Sequence, residues 1–394
     1  MSFVDDVRKL LRENIRDYGM FIALFVIIVF FTLATDGLFI SPRNLVNLVN
    51  QTGFIAVLAV GMTLVIIIRH IDLSVGFLAG FLGAVAAIAL EQWGLPVIVV
   101  IPFVLGLGIL AGRLTSFMVA DLGIPAFVAT LAGWLGYRGA LQLVTRSTGT
   151  IIITNDAFNA IGNGFIPDIP YASIMPEFHK TTLILGLIGI VIFVSSQIFN
   201  RARLQRQNGE ISSRGMFILK LAFGSILIGG IAWILGGDRG LSWTAVVVLI
   251  VAISYHFMTT RTVLGRHIYA VGGNPEAAEL SGISVKRITH VVFGSMGMLS
   301  ALAGIMFASR LQSATTTAGT LFELDAIAAA FVGGASAAGG VGTVIGSLVG
   351  ALVMSSLTNG MNLMGIDISY QFIVRAIVLA GAVIFDVTTR RTSS

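Results

Sequence analysis

The most specific polar chemistry in this chain lies in residues 260–288, a basic insert between two apolar stretches. Within the insert, Asn274 can cap the start of a helix, Pro275 suits the first helical position, and Glu276 favours the positive end of the helix. Gly282 can adopt the left-handed conformation that ends a helix. We therefore expect a helix of about two turns. Because so short a helix is marginal alone, it should lie against its own transmembrane helices or another protein.

This predicted helix is the candidate contact with a partner protein. Gly272 and Gly273 are expected to free the chain just before it. The alternative is that the insert is an ordinary connector between two spans. The residues assigned to the candidate contact are Asn274, Pro275, Glu276, Ala277, Ala278, Glu279, Ser281 and Gly282.

A second polar group, Arg69, His70 and Asp72, lies where two apolar stretches meet. A carboxylate at the membrane is costly to desolvate and needs a partner, for which Arg69 is the nearest candidate. The alternative, which we favour, is a short cytoplasmic turn in which Asp72 and Ser74 cap the following helix.

Other polar side chains lie in or beside the apolar stretches. Neutral amides, hydroxyls and an aromatic face suit a neutral polyol such as a sugar, which needs hydrogen bonds rather than a counter-ion. Taken singly, each such residue is more often a hydrogen-bonding contact between helices. The candidate lining of a substrate path is Asn50, Gln51, Asp72, Thr130, Trp134, Asn359 and Asn362, with Thr52 beside the first two.

The composition is that of a polytopic membrane protein with one membrane domain, residues 1–394. Hydrophobic residues make up 56% of the chain and charged residues 11%, against roughly a quarter charged in soluble domains. The net charge of +5 comes from short loops between spans, which argues against nucleic-acid binding. The chain has no cysteine, its five histidines lack metal-ligand spacing, and no Walker-type loop is present. Any ATP must therefore be bound by another subunit.

The apolar stretches predict an all-α fold of about ten transmembrane helices. We place these spans at residues 19–35, 52–69, 74–90, 95–117, 125–145, 181–199, 216–236, 241–259, 289–309 and 370–388. Residues 1–18 are predicted to form a cytoplasmic leader. Residues 324–357, apolar and glycine-rich, are predicted to form a broken or re-entrant pair of half-helices. On this map 15 of the 24 Lys and Arg residues are cytoplasmic, which predicts that both termini and residues 260–288 face the cytoplasm.

Two further features allow more than one interpretation. The longest external loop, 147–180, is rich in Asn, Gly and Pro, and it either folds over the outer mouth to dock a partner or is a solvated cluster of turns. The pair Gly76 and Gly80 has the same G-x-x-x-G spacing as the later pair Gly346 and Gly350. This echo predicts two closely packed helices and is compatible with a duplicated transporter plan.

Acidic residues within the spans are few. Asp72 and Asp386 lie near span ends, and Glu323 and Asp325 lie at the entry to the glycine-rich segment. A secondary transporter driven by protons or sodium usually carries several acids in mid-span. We therefore favour energy supplied from outside the chain, with a stand-alone secondary transporter or channel as the alternative. No paired His-Glu, Ser-Lys or Asp-Asp group has helical spacing within the spans, which argues against an intramembrane enzyme.

Four motifs along the chain carry a family resemblance. They are IDLSVG at 71–76, PAFVATLAGWLGYRG at 125–139, GRHIYAVGGNPEAAELSGI at 265–283 and LDAIAAAFVGGASAAGGVGTVIG at 324–346. In these motifs the chain resembles the permease subunits of bacterial sugar ABC importers, the group that serves ribose, xylose and related monosaccharides. In its length and its basic insert at 201–214 it is most similar to the xylose-type branch.

The resemblance implies an inner-membrane permease that moves a neutral monosaccharide inward by alternating access and catalyses no covalent reaction. It implies a homodimer of permeases, a cytoplasmic ABC ATPase dimer that binds the ATP, and a periplasmic or extracellular sugar-binding protein, with no cofactor in this chain. Residues 274–282 would dock into the ATPase. Within the ABC class the alternative is a branched-chain amino acid permease, whose charged substrate should demand more ionic groups in the path.

Overall fold

The computed structural model describes residues 15–170, 177–206 and 214–391. Most of the predicted leader, residues 1–14, lies outside the described residues. The helices are α1 Ile15–Ala34, α2 Pro42–Ile67, α3 Val75–Glu91, α4 Val97–Ser116, α5 Ala126–Val144, α6 Asp156–Asn163, α7 Lys180–Arg206, α8 Arg214–Gly236, α9 Trp243–Arg261, α10 Val263–Gly273, α11 Pro275–Leu280, α12 Val285–Leu311, α13 Phe322–Val332, α14 Val344–Leu363 and α15 Ile368–Arg391. The short elements are a 3-10 helix, Leu38–Ile40, a π-helical turn, Phe117–Asp121, and an antiparallel pair of strands, β1 Thr150–Ile152 and β2 Ser313–Thr315.

The all-α membrane fold is confirmed, because each of the ten predicted spans coincides with a helix. Among the described residues, seven helices are long and apolar enough to cross a bilayer. Three shorter apolar helices accompany them at Gly19–Ala34, Val75–Glu91 and Ile368–Ile384.

The glycine-rich segment is broken, but into unequal parts. Residues 333–343 separate α13, of 11 residues, from α14, of 20 residues. The prediction of two half-helices is therefore wrong for the second part, which is long enough to cross a bilayer. The break falls where Gly334, Gly339 and Gly340 adopt positive φ values, a conformation that costs glycine little.

Helices α2 and α12 form the centre of the bundle. In their most apolar windows 89% and 72% of the residues are buried, whereas α7 and α8 pack mainly on each other and only 6% and 11% of theirs are buried. Helix α12 packs on α3 and α4, and α2 packs on α13 and α14. We call the end of the bundle that carries residues 262–284 the insert end, and the opposite end, which carries β1 and β2, the β end.

The two G-x-x-x-G pairs pack differently from the sequence expectation. They do not pack on each other; both press on α13 and the chain that enters it. A Cβ at Gly80 would overlap the carbonyl oxygen of Ala318, just before α13, and a Cβ at Gly350 would overlap that of Ala329 within it. The glycines therefore let helix backbones approach closely, as predicted, but each pair lies against α13 or the chain beside it and not against the other pair.

Helix α2 begins ten residues earlier than the predicted second span. Ser41 precedes the helix and Pro42 occupies its first position, where a missing N–H group is harmless. Asn50, Gln51 and Thr52 consequently lie inside α2 and not at its outer start, which corrects the sequence map. Hydropathy did not reveal where α2 begins, because the first turns of the helix contain three asparagines among their leucines and valines.

The external loop is more ordered than a cluster of solvated turns. It contains β1 and α6, while residues 171–176 lie outside the described residues. Asn155 caps α6 by accepting a hydrogen bond from the N–H group of Phe158 at 3.0 Å, and Phe158 itself is fully buried. Ser309 at the end of α12 donates to the carbonyl oxygen of Phe158 at 2.7 Å. The loop thus packs over the β end of the bundle.

The contact between α14 and α13 predicts a large effect from one methyl group. Replacing Gly350 by Ala should destabilise the protein by roughly 1–3 kcal/mol, because the new Cβ meets backbone that cannot move aside. Gly381→Ala is the matched control, since nothing lies within 4 Å of a Cβ at that position in α15. Thermal unfolding in detergent and the yield of monodisperse protein measure both variants. Equal stability of the two would contradict the close contact.

Candidate functional site

Residues 274–282 form the capped helix that the sequence predicts. Asn274 accepts a hydrogen bond from the N–H group of Ala277 at 3.0 Å, Pro275 is the first residue of α11, and Gly282 has a φ of 83°. Ala278 is buried against the bundle, while Glu276, Ala277, Glu279, Ser281 and Gly282 are exposed. Leu280 is 91% exposed. Leu280 and the carboxylates of Glu276 and Glu279 are thus accessible at the insert end.

The two glycines before α11 have another role than the one expected. Gly272 and Gly273 do not loosen the chain, because they form the last turn of α10. A Cβ at Gly272 would overlap the carbonyl oxygen of Ile67 at the end of α2. The glycine therefore permits close approach of two backbones. The sequence analysis also missed α10, an amphipathic helix that Thr262 caps by accepting from the N–H group of Gly265 at 3.2 Å.

Three interruptions of helical structure meet at the end of α10. They are the break after α2 (residues 68–74), the end of α10 itself, and the break after α13 (residues 333–343). The Nε–H group of Arg69 donates to the carbonyl oxygen of Gly272 at 2.7 Å, and its Nη2 donates to that of Gly273. The N–H group of Gly340 donates to the carbonyl oxygen of Ile67 at 2.8 Å. The end of α10 is thus bonded to the break that follows α2, and that break is bonded to the break that follows α13.

Tyr269 adds a further bond between α10 and the break after α13. Its hydroxyl donates to the carbonyl oxygen of Gly342 at 2.6 Å. Burial raises the pKa of Tyr269 above its usual range, so the hydroxyl keeps its proton and remains a donor at neutral pH. A displacement of α10 would therefore move residues 333–343 with it.

Asp72 and Ser74 form a short turn, as favoured from the sequence, but neither side chain caps the first turn of α3 as expected, and among the described residues Asp72 is bonded to Ser74 and not to Arg69. Its Oδ1 accepts from the N–H group of Ser74 at 2.9 Å and from the hydroxyl of Ser74 at 2.6 Å. Asp72 and Ser74 are buried, so this turn lies inside the bundle and not at its surface as expected. Thr130 on α5 is also buried and donates to the carbonyl oxygen of Ile71 at 3.4 Å.

The depth of this turn follows from the contacts between α3 and α12. Gly304 lies against the backbone of Ala79 and Gly83, and Ala308, one turn further along α12, lies against Gly83. The helices therefore run in the same direction. With a rise of about 1.5 Å per residue in each, the first turn of α3 lies beside the middle of α12. Residues 68–74 accordingly run back into the bundle, and α3 begins inside it.

Glu323 in the first turn of α13 is a buried carboxylate beside the start of α3. The residue is 4% exposed. Its Oε1 accepts a hydrogen bond from the Nε1–H group of Trp134 on α5 at 3.0 Å, and its Oε2 has no partner among the described residues. A Cβ at Gly76 would overlap Oε2. The carboxylate thus lies against the N-terminal turn of α3, whose partial positive charge favours an anion.

Helix α5 carries an exposed arginine and two glycines with open space around them. Arg138 is exposed, and its guanidinium lies 5.4 Å from the ring of Trp134 and 5.6 Å from that of Phe77. Nothing lies within 4 Å of a Cβ at Gly136 or Gly139. A charged side chain within a span avoids lipid. This α5 face, defined by Trp134 and Arg138, which lie one helical turn apart, therefore reaches toward water, lipid headgroups or another protein chain.

A second polar site surrounds Gln51. Arg375 on α15 forms an ion pair with Asp325 on α13, and both line a cavity of about 150 Å³ together with Gln51. The two opposite charges neutralise each other, which is the usual arrangement for ionisable groups within spans. The remaining lining residues are Phe54, Ile55, Met354, Ser355 and Thr358.

Of the other predicted path residues, Asn359 and Asn362 are occupied in contacts between helices. Asn359 exchanges hydrogen bonds with Asn44 at 2.9 and 3.1 Å, and Asn362 accepts from Gln371 at 2.7 Å. Asn50 is buried, and its Oδ1 has no partner within the described part of the chain. The seven predicted residues therefore do not converge on one pocket. Asp72, Thr130 and Trp134 lie together, and Gln51 lies at the second site.

Ser116, His290 and Asp121 form a hydrogen-bonded chain made of the residue types of a hydrolytic triad. Ser116 Oγ lies 2.8 Å from His290 Nδ1, and His290 Nε2 lies 2.8 Å from Asp121 Oδ2. Ser116 is fully buried and its hydroxyl also donates to the carbonyl oxygen of Arg113 at 2.9 Å. No substrate carbonyl can reach such a hydroxyl, so the chain fastens the end of α4 to α12.

Sequence reasoning missed some groups that the fold brings together. Arg138 carried a usable signal, a charge inside an otherwise apolar helix. Arg69 was noticed only as a possible partner of Asp72, because the carbonyl oxygens at the end of α10 lie about 200 residues away and no local pattern points to them. Glu323 was placed at the entry of the broken segment, but its bond to Trp134 depends on packing between α5 and α13.

Comparison with known proteins gives a consistent picture. The family model described as branched-chain amino acid transport system / permease component matches residues 44–383. The xylose transport system permease protein of Haemophilus influenzae is 39% identical over 383 residues, 97% of this chain and 99% of the relative. That of Escherichia coli K12 is 40% identical over 382 residues, 96% and 94% of the two chains. The ribose import permease protein of Haemophilus influenzae is 36% identical over 369 residues, 93% and 91%. No solved structure matches the chain.

The bond between Trp134 and Glu323 predicts a measurable energetic coupling. Trp134→Phe and Glu323→Ala should each destabilise the protein by roughly 1–3 kcal/mol, because each leaves one buried partner unsatisfied. The double variant should lose less than the sum of the two, by roughly 0.5–3 kcal/mol. Glu323→Gln, which keeps an acceptor oxygen, is the matched control and should retain most of the stability. Strictly additive losses in thermal unfolding would exclude the bond.

Proposed function

The chain belongs to the family of branched-chain amino acid transport system / permease components, and from that membership we propose that it is the membrane-spanning subunit of an ATP-driven sugar importer. The observation that carries the proposal is the exposed, capped helix α11, bonded through the end of α10 to the breaks after α2 and α13. A partner that moves α11 would move both breaks. This is the mechanical link that an ATPase in a separate subunit requires.

The coupling works through short connections between rigid elements. Glu276, Glu279 and Leu280 offer the ATPase two carboxylates and one apolar side chain. Arg69 then transmits a displacement of α10 to residues 68–74, which lead to the buried start of α3. Tyr269 transmits the same displacement to residues 333–343. Alternating access follows when α3 and α13, which meet at Glu323, change their positions relative to α5.

A neutral monosaccharide is the substrate class that the polar groups suit best. Trp134 offers an aromatic face, Arg138 offers donors, and Glu323 offers acceptor oxygens along the α5 face. The xylose and ribose named for the relatives are neutral sugars of this kind. A branched-chain amino acid, the substrate in the family description, is zwitterionic and would need unpaired ions in the path. At the second polar site the charges of Asp325 and Arg375 are already paired.

The proposal includes several partners. A second copy of the permease covers the α5 face, which a lone chain would expose to lipid with its arginine. The ABC ATPase dimer binds the ATP, so this chain needs no cofactor of its own and catalyses no covalent reaction. An extracytoplasmic sugar-binding protein delivers the sugar at the β end, where the ordered external loop lies. The protein is thus a multi-pass bacterial inner-membrane protein with both termini and the insert end in the cytoplasm.

The source of energy distinguishes this proposal from a stand-alone secondary transporter. In proteoliposomes, uptake of radiolabelled xylose or ribose should require the ATPase, ATP and the binding protein together. Proton or sodium gradients should drive no uptake by the isolated permease, because the spans lack a chain of mid-span acids. Robust gradient-driven uptake by the permease alone would reject the importer model.

Two variants distinguish docking of the ATPase on α11 from transmission of its movement to the bundle. Glu279→Arg should reduce co-purification of the ATPase, since a reversed charge at an interface is costly while an exposed charge contributes little to folding. Arg69→Gln should preserve co-purification and ATP hydrolysis but abolish sugar uptake, because its bonds to the end of α10 are lost. Lys220→Glu, a charge reversal on α8 outside the insert, is the control. Normal ATPase association and normal sugar uptake in both test variants would show that the insert is only a connector between spans.

A further inference from the structure

Two neighbouring cavities between α9, α10 and α12 form one groove at the insert end. The outer cavity, of about 470 Å³, lies beside residues 282–284, and the inner one, of about 270 Å³, reaches α2. Leu264 and Val291 line both cavities. The two cavities are therefore adjacent across Leu264 and Val291, and together they extend from the surface of the insert toward the apolar part of the bundle.

The two ends of the groove differ in chemistry. Arg287, His267 and Ser284 line the outer cavity, and no acidic residue lines either cavity. Among the described residues, no salt bridge occupies Arg287 or His267. The inner walls are largely apolar, and the hydroxyls of Tyr255 and Ser295 bond to each other. The apolar residues of the inner cavity are Leu64, Met258, Leu264, Ile268, Val291 and Val292.

We propose that this groove binds one anionic phospholipid, with its phosphate at Arg287 and His267 and an acyl chain in the inner cavity. Basic pockets between spans on the cytoplasmic side attract anionic headgroups. The N-terminus of α12, capped by Ser284, lies at the same end and adds partial positive charge. A free phosphate ion would leave the apolar cavity unfilled, and a neutral sugar would not use the positive charge of Arg287. An amphiphile with one negative charge matches both ends.

The position of the groove links the lipid to the insert. Gly282 and Ile283 line the outer cavity and form the exit of α11, and Leu264 and His267 belong to α10. The headgroup therefore lies between the two short helices and the start of α12. Its binding fixes α10 and α11 relative to the membrane surface.

Native mass spectrometry of the purified, delipidated protein tests this proposal. Titration with phosphatidylglycerol should give one tightly retained lipid, whereas phosphatidylcholine with the same acyl chains should bind more weakly. The variant Arg287→Gln with His267→Gln should weaken phosphatidylglycerol binding by roughly fivefold or more, because it removes the positive charge of Arg287 and the imidazole of His267 as a hydrogen-bonding group. Lys286→Gln, which removes an adjacent exposed charge outside the groove lining, is the matched control and should leave binding unchanged.

Three results would overturn the proposal. Equal retention of phosphatidylglycerol and phosphatidylcholine would exclude recognition of the headgroup charge. Competition by inorganic phosphate as effective as that by phosphatidylglycerol would show an ion site without a role for the acyl chain. Unchanged lipid retention with lost ATPase co-purification in the double variant would assign the groove to the ATPase. If the double variant fails to fold, Arg287→Gln alone and the comparison of headgroups on the unchanged protein decide the question.

Discussion

A backbone group that loses its helical partner inside a membrane must find another within the protein, because no water replaces it there. This constraint organises the whole insert end. Where α2 stops, the carbonyl oxygen of Ile67 accepts from Gly340, and where α10 stops, its last carbonyl oxygens accept from Arg69. Carbonyl oxygens at one helix end thus accept hydrogen bonds from residues in the break that follows another helix. Helices that end inside the bundle cannot move independently, since separating them would leave donors and acceptors unsatisfied at a cost of roughly 1–3 kcal/mol each.

Close contact between helix backbones also holds the helices of the bundle together. Helix α13 is only 11 residues long, yet glycines of α3 and α14 bring their backbones directly against it and the chain that enters it. Without a hydrophobic driving force between helices in lipid, such packing and the bonds of Trp134 and Glu323 hold the short helix in place.

Some charged groups in the described part of the bundle are satisfied within the protein and others are not. Asp325 and Arg375 neutralise each other, and Asp72 is satisfied by Ser74, so these groups are stable without a ligand. Arg138 and the Oε2 of Glu323 have no such partner within the described residues, apart from the aromatic rings beside Arg138. Incomplete satisfaction of this kind is what a transport path needs, because a substrate can then replace water or a second copy as the partner.

Local and compositional signals in the sequence determined a large part of this protein. Hydropathy located all ten predicted spans, because an apolar stretch near the bilayer thickness has few alternatives. Asn274, Pro275 and Gly282 fixed α11, since capping depends on neighbours along the chain. Only the tertiary structure decided that Arg69 bonds to α10, that Trp134 meets Glu323, and that both glycine pairs press on α13. The bonds of Trp134 and Arg69 join residues 189 and 203 positions apart, and Gly76 meets Glu323 from 247 positions away. Their partners are chosen by helix packing, which no pattern along the chain encodes.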